Sequence, residues 1–224
     1  TYFCYIIMTK NRLLILTALK AEATPFIRHY NLRKKDIIEN KPLYYSGTVT
    51  LLITGVGKAN VKNTLQNYYN RHKIKQHDFI VNIGVAGGNT DLGKIGDLFF
   101  INKIICETDG PAYYTKALFK HGIKEASLTT VKNPVVDGNE TYDGLVDMEA
   151  LDIWNILKSM IPNDRFIFLK VISDYMENKC LNIKSFEKLA TKILTYQLIP
   201  ITNLLNILQE IEINNHSALN INEK

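Results

Sequence analysis

Cysteine is scarce in this 224-residue chain, and Cys4, Cys106 and Cys180 show no paired spacing. That argues against a disulfide framework and against a zinc site, and makes free buried thiols in a reducing cytoplasm the expectation. No run is long and apolar enough to span a bilayer, so no membrane association is expected. The opening stretch, Thr1-Tyr2-Phe3-Cys4-Tyr5-Ile6-Ile7, is apolar but lacks the charged flank and cleavage region of a secretory signal. Low-complexity linkers, internal repeats and breaks in composition are also missing. One domain over residues 8–213 is therefore expected, with Met8 as a candidate start, residues 1–7 as an N-terminal extension and residues 214–224 as a frayed tail.

The positive excess is small and dispersed. The net charge is +5, and its densest groups are Arg33-Lys34-Lys35 and Arg71-His72-Lys73-Ile74-Lys75. Such runs are expected on solvated helix ends and loops, and without a recognition motif they do not predict a nucleic-acid partner.

What the chain does have is alternation of apolar elements, at an ordinary 46% hydrophobic and 22% charged. Leu13 to Leu16 is a strand candidate, followed by a helix with Ala23, Phe26, Ile27 and Tyr30 on one face. Leu43 to Ser46 and Val49 to Thr54 flank Gly47 as a hairpin. Gly55-Val56-Gly57 leads into a helix carrying Val61, Leu65, Tyr68 and Tyr69. Phe79 to Ile83 is a strand running into a glycine-rich turn, Gly84 to Gly88, and Leu98 to Ile101 continues the sheet. Short strands are expected near Leu128 to Val131 and Leu145 to Asp147, a buried strand at Phe166 to Ile172, and then two helices divided near Pro200. This order implies an α/β fold with helices on both faces of a parallel or mixed sheet.

Carboxylates fall where these elements change. Glu22 lies in the first turn of its helix, Glu149 follows Asp147 and Met148 at the start of another, and Asp174 follows Ser173 at the end of the Phe166 to Ile172 run. Ligand crevices in open α/β sheets form at the carboxyl ends of strands. If the strands run parallel there, these acids and the glycine-rich turn meet at one rim and suit acid-assisted cleavage of a bond to a sugar. Each also has a plainer role: Glu22 favours a helix dipole, Ser173-Asp174 caps a helix, and the glycines serve a tight turn.

In combination the segments Leu16-Thr17-Ala18-Leu19-Lys20-Ala21-Glu22, Thr54-Gly55-Val56-Gly57-Lys58-Ala59-Asn60, Val81-Asn82-Ile83-Gly84-Val85-Ala86-Gly87-Gly88, Val146-Asp147-Met148-Glu149-Ala150 and Val171-Ile172-Ser173-Asp174 resemble the nucleoside phosphorylase and nucleosidase superfamily. The pattern is most similar to its methylthioadenosine/S-adenosylhomocysteine nucleosidase branch. The resemblance implies a three-layer α/β/α fold with a central mixed, partly barrel-like sheet. It implies hydrolysis of the N-glycosidic bond of a purine nucleoside or adenosine thioether, without cofactor or metal, by a cytoplasmic homodimer.

The resemblance also assigns roles. Glu22 orients the attacking water, and Asp174, oriented by Ser173, is the acid toward the base. Met148 and Glu149 hold the ribose, and Val85, Ala86 and Gly87 form the substrate wall. Lys170 and Lys58 are further candidates. Asn82 stands where phosphorylases typically have an arginine, which favours water over phosphate as nucleophile. A phosphate-dependent phosphorylase and a nucleoside-binding regulator without turnover are the alternatives. Three features depart from the nucleosidase pattern: Val85 replaces a usual serine, Lys170 a usual arginine, and Leu128 to Val135 a Ser-Gly-Asp signature. These bear on the purine pocket. The stretch Glu107 to Tyr114 is a candidate lid whose tyrosines would stack on a base.

Overall fold

The computed structural model describes residues 10–72, 78–108, 110, 112–115, 119–136, 141–177 and 182–212. The terminal extension and tail, together with Cys4 and Cys180, lie outside the described residues. A ten-stranded mixed sheet forms the centre. Its first part comprises β1 (Leu13–Thr17), β2 (Arg33–Ile38), β3 (Lys41–Ser46), β4 (Val49–Ile53) and β5 (Phe79–Gly87). Then come β6 (Leu98–Cys106), β7 (Tyr113–Tyr114), β8 (Lys124–Thr130), β9 (Leu145–Asp147) and β10 (Phe166–Asp174). The order runs β10-β6-β8-β9-β5-β1-β4-β3-β2, and a further pairing of β10 with β5 closes β5, β10, β6, β8 and β9 into a barrel.

The helices are α1 (Lys20–His29), α2 (Lys58–Arg71), α3 (Ala150–Leu157), α4 (Ile183–Tyr196) and α5 (Leu198–Glu210). On one side of the sheet α2 and α3 bury Val61, Leu65, Ile153 and Trp154 against Leu14, Leu16, Phe166 and Phe168. On the other, α1, α4 and α5 bury Phe26, Leu194 and Leu205 against Leu13, Ile15, Ile167 and Leu169. The central strands are mostly apolar because successive side chains enter opposite, equally covered faces. This is the three-layer arrangement the resemblance implies.

Several expectations need correction. Gly84 to Gly87 is no turn: β5 continues through Gly87, paired with β10 from Ile80 to Gly87. Arg33-Lys34-Lys35 begins β2, an edge strand paired with β3, whose exposed charges keep an open edge soluble. Arg71 ends α2, and residues 73–77 lie outside the described residues. The last two helices divide at Gln197, and Pro200 sits in the first turn of α5, where its missing N–H has no intrahelical partner to lose.

Proline has a second consequence. Pro25 lies inside α1 and cannot donate to the carbonyl of Ala21. The hydroxyl of Thr191, on α4, donates to that oxygen at 2.9 Å instead. A gap in one helix thus becomes a tie that fixes α4 beside it.

Candidate functional site

A cavity of about 290 Å³ opens at the carboxyl ends of β1, β5 and β10. Those strands run parallel, as the rim argument requires. The Met148-Glu149 junction reaches the same rim differently, since β9 pairs antiparallel with β5 through Gly87 and Val146.

Glu22 is buried at the third position of α1, and both its oxygens are engaged. Oε2 accepts the backbone N–H of Leu19 and Oε1 that of Val85, each at 2.9 Å. The first bond closes the opening turn of the helix, and the second spans to β5. Gly84 makes the approach feasible: a Cβ there would stand 2.8 Å from Glu22 Oε1 and 3.5 Å from Lys170 Nζ. Burial pushes the Glu22 carboxyl up, opposed by the Lys170 ammonium and the amide donors.

Glu149 lies between β9 and α3. Its Oε1 accepts the N–H of Gly57 at 2.8 Å. Gly57 precedes α2 with φ +80°, a left-handed conformation that glycine adopts without steric cost. Burial and the neighbouring Asp147 charge push Glu149 up to about 7, against the opposing effect of Lys170.

Asp174 closes β10 just after a register shift between Ile172 and Asp174. Such an irregularity re-aims the side chains that follow it. Oδ1 accepts the N–H of Met176 at 2.9 Å, and Ser173 Oγ donates to Oδ2 at 2.7 Å. Ser173 Oγ also stands 3.2 Å from the carbonyl of Ala86. A hydroxyl has one proton, so this serine serves either state of the acid. It donates to a carboxylate, or accepts from a carboxylic acid while donating to Ala86.

All of Glu22, Val85, Ala86, Gly87, Met148, Glu149, Ser173 and Asp174 line this one cavity. Lys58 does not. It stands on α2 with its side chain 81% exposed and pairs with Asp152 at 3.9 Å. Lys170 is not a lining residue either. It lies behind the wall, its Nζ 2.8 Å from Asp147 Oδ2, with the two side chains 2% and 1% exposed. The candidate lid over Glu107 to Tyr114 is also elsewhere: Tyr113 and Tyr114 pair with β6, and Tyr113 packs on Trp154 at 5.8 Å. Asp109 and Pro111 lie outside the described residues.

Sequence reasoning did not single out Phe186, Met176 or Val131 as site residues, yet all line the cavity. Phe186 arrives on α4, and no local pattern announces it. Met176 is buried with φ +56° and packs where Gly87 leaves room, since a Cβ at Gly87 would stand 2.6 Å from its Cγ. Asp147 was visible as a neighbour of Glu149, but its partnership with Lys170 was not. Among the described residues, no lysine or arginine lines the cavity and no cluster of His, Cys, Asp or Glu could hold a metal. No helix among them is long and apolar enough to cross a membrane.

Comparison with known proteins gives a structural match. No protein-family model and no curated protein matches the chain. Among solved structures, it is similar to the 5′-methylthioadenosine nucleosidase of Arabidopsis thaliana, at a TM-score of 0.72 and 17% identity, over 91% of this chain and 98% of that one. The 5′-methylthioadenosine/S-adenosylhomocysteine nucleosidase of Helicobacter pylori, solved with butyl-thio-DADMe-Immucillin-A, matches at 0.71 and 17% identity, over 88% and 98% of the two chains. The futalosine hydrolase of the same organism matches at 0.70 and 17% identity, over 88% and 97%. The chain shares the α/β fold of these nucleosidase structures. At this identity the likeness is one of fold.

Proposed function

We propose that this chain hydrolyses the N-glycosidic bond of a purine nucleoside or adenosine thioether. The observation that carries the reading is the convergence of Glu22, Glu149 and Asp174, from α1, the β9–α3 junction and β10, on one cavity of about 290 Å³. Cleaving the bond builds positive charge on the sugar and negative charge on the base. Glu149 accepts hydrogen bonds from the ribose hydroxyls and, with Glu22, places fixed negative charge beside the developing cation. Asp174 delivers a proton to the base nitrogen N7 as the C1′–N9 electron pair departs.

Water then bonds to C1′ and gives its proton to Glu22, whose burial makes the carboxylate a better proton acceptor than an exposed one. Solvent restores both groups, and the products are free base and free sugar. The lining supports water over phosphate, because a phosphate among these carboxylates would meet no lysine or arginine among the described lining residues. A screen of purine nucleosides and adenosine thioethers for released base, with and without phosphate, tests the reading. Base release independent of phosphate is expected. Release that requires phosphate identifies a phosphorylase, and stoichiometric binding with no release over hours identifies a binder without turnover.

A further inference from the structure

The most deeply buried cation among the described residues is unused in that reaction. Lys170 sits on the face of β10 that otherwise carries Phe166, Phe168 and Ile172. It is the one fully buried lysine or arginine among the described residues. Burying an ammonium is costly unless charge and hydrogen bonds compensate. Here Asp147 compensates, and its other contacts show what the pair holds. Asp147 Oδ1 accepts the hydroxyl of Thr130 at 2.7 Å, and Oδ2 accepts the N–H of Ala150 at 3.0 Å. Ala150 is the first residue of α3 and directly follows Glu149. Lys170, β8, β9 and α3 are thereby tied at one carboxylate, two residues before Glu149.

We propose that Lys170 is a positioning residue of this site, fixing the Met148-Glu149 junction through Asp147 and supplying the buried positive charge that faces its carboxylates. The proposal rests on the hydrolase reading only for its kinetic part. The charged groups around the ammonium are Asp147 from β9, Glu149 from the β9–α3 junction, Glu22 from α1 and, beyond Asp147, Asp152 of α3. Burial pushes the Lys170 ammonium toward neutrality, but the facing carboxylates outweigh it and its pKa is raised. One cation thus serves several acids. Without it, Glu22 and Glu149 would face one another and Asp147 with no compensating charge. At Gly84 both Glu22 Oε1 and Lys170 Nζ come within 3.5 Å of the place a Cβ would take, so a side chain there would crowd both charges.

The experiment is a carboxyl-carbon NMR titration of Glu22 and Glu149 in the wild type, Lys170→Arg, Lys170→Met and the double variant Lys170→Met/Asp147→Asn, alongside kcat/KM against pH. In Lys170→Met both glutamates are expected to titrate higher, by about 1–3 units. Lys170→Arg retains the charge and stays near the wild type. In the double variant, which removes both members of the buried Lys170–Asp147 pair and so leaves neither of them unpaired, Glu22 still rises. Glu149 there returns to or below its wild-type value, because the Asp147 charge that raised it is gone. The acid limb of kcat/KM follows these shifts. A folded double variant in which Glu22 titrates as in the wild type would overturn the proposal. The titration needs no turnover, so a wild type that releases no base ends the hydrolase reading and leaves the role of Lys170 to be decided by the carboxyl signals.

Discussion

The backbone N–H of Val85 donates to Glu22 Oε1 at 2.9 Å, joining the first turn of α1 to the middle of β5. The bond needs a bare neighbour. At Gly84 a methyl group would stand 2.8 Å from the same oxygen. Glu22 is buried and locked at both oxygens, so it cannot swing aside freely. Gly84→Ala is expected to cost about 1–3 kcal/mol, the usual range for overpacking a tight site. Its effect on activity should exceed what the stability loss explains, because Glu22 is displaced from the water it orients. Urea unfolding together with base-release kinetics checks both. Wild-type kinetics in a folded Gly84→Ala protein would show that Glu22 tolerates displacement and is not the water-orienting group.

Asp174→Asn keeps the shape and the Met176 contact but removes the proton the base requires. The expected result is a fall in kcat of about 100- to 10,000-fold with a native circular dichroism spectrum. Substrates whose leaving base is already activated should lose much less, since they depend less on protonation. An unchanged kcat on the true substrate would remove Asp174 from the mechanism. Ser173→Ala should produce a smaller loss, because it deprives Asp174 of an orienting partner and leaves the acid itself in place.

Much of this architecture was legible in the amino-acid order, for a physical reason. β1, β4 and β10 are covered on both faces, so their sequences are largely apolar runs with few interruptions. Glu22 follows β1, Glu149 follows β9 and Asp174 closes β10, where local sequence already marks a junction. Arg33 to Ile38 was not legible as a strand. It pairs on one side only and points Arg33, Lys34 and Lys35 into water, so it carries no hydrophobic period. Phe186 was hidden because its place depends on how α4 docks, and that is set by Thr191 and a carbonyl left free by Pro25. The Lys170–Asp147 pair was hidden because the residues meet only once the barrel closes around them.

That docking contact makes its own prediction. Thr191→Val preserves shape while removing the hydroxyl that donates to the Ala21 carbonyl. A loss on the order of 1–3 kcal/mol is expected if the oxygen stays buried. Phe186, on the same helix, should then be held less firmly at the cavity, raising KM more than it lowers kcat. Thr191→Ser keeps a hydroxyl in reach and should restore both. If the serine variant behaves like valine, the methyl packing of Thr191 matters and its hydrogen bond does not.

Glu149 gives the pH dependence its sign. Its carboxyl rises from 4.5 to about 7, first through burial and then through Asp147. A carboxyl raised on folding binds a proton more tightly in the native than in the unfolded chain. Between pH 4.5 and about 7 the native state therefore holds the extra proton, and stability falls as pH rises through that window. The contribution of this one group is on the order of 3 kcal/mol, reached near neutrality and constant above. Glu149→Gln cannot titrate, so its unfolding free energy should stay flatter over the same window. Activity should run the opposite way. The carboxylate form accepts the ribose hydroxyls, so kcat/KM should climb as pH passes about 7 even while the fold loses stability. Parallel denaturation and kinetic profiles would reveal the divergence. Stability and kcat/KM that both stay flat across that window would mean that Glu149 is ionised at lower pH and holds the sugar throughout.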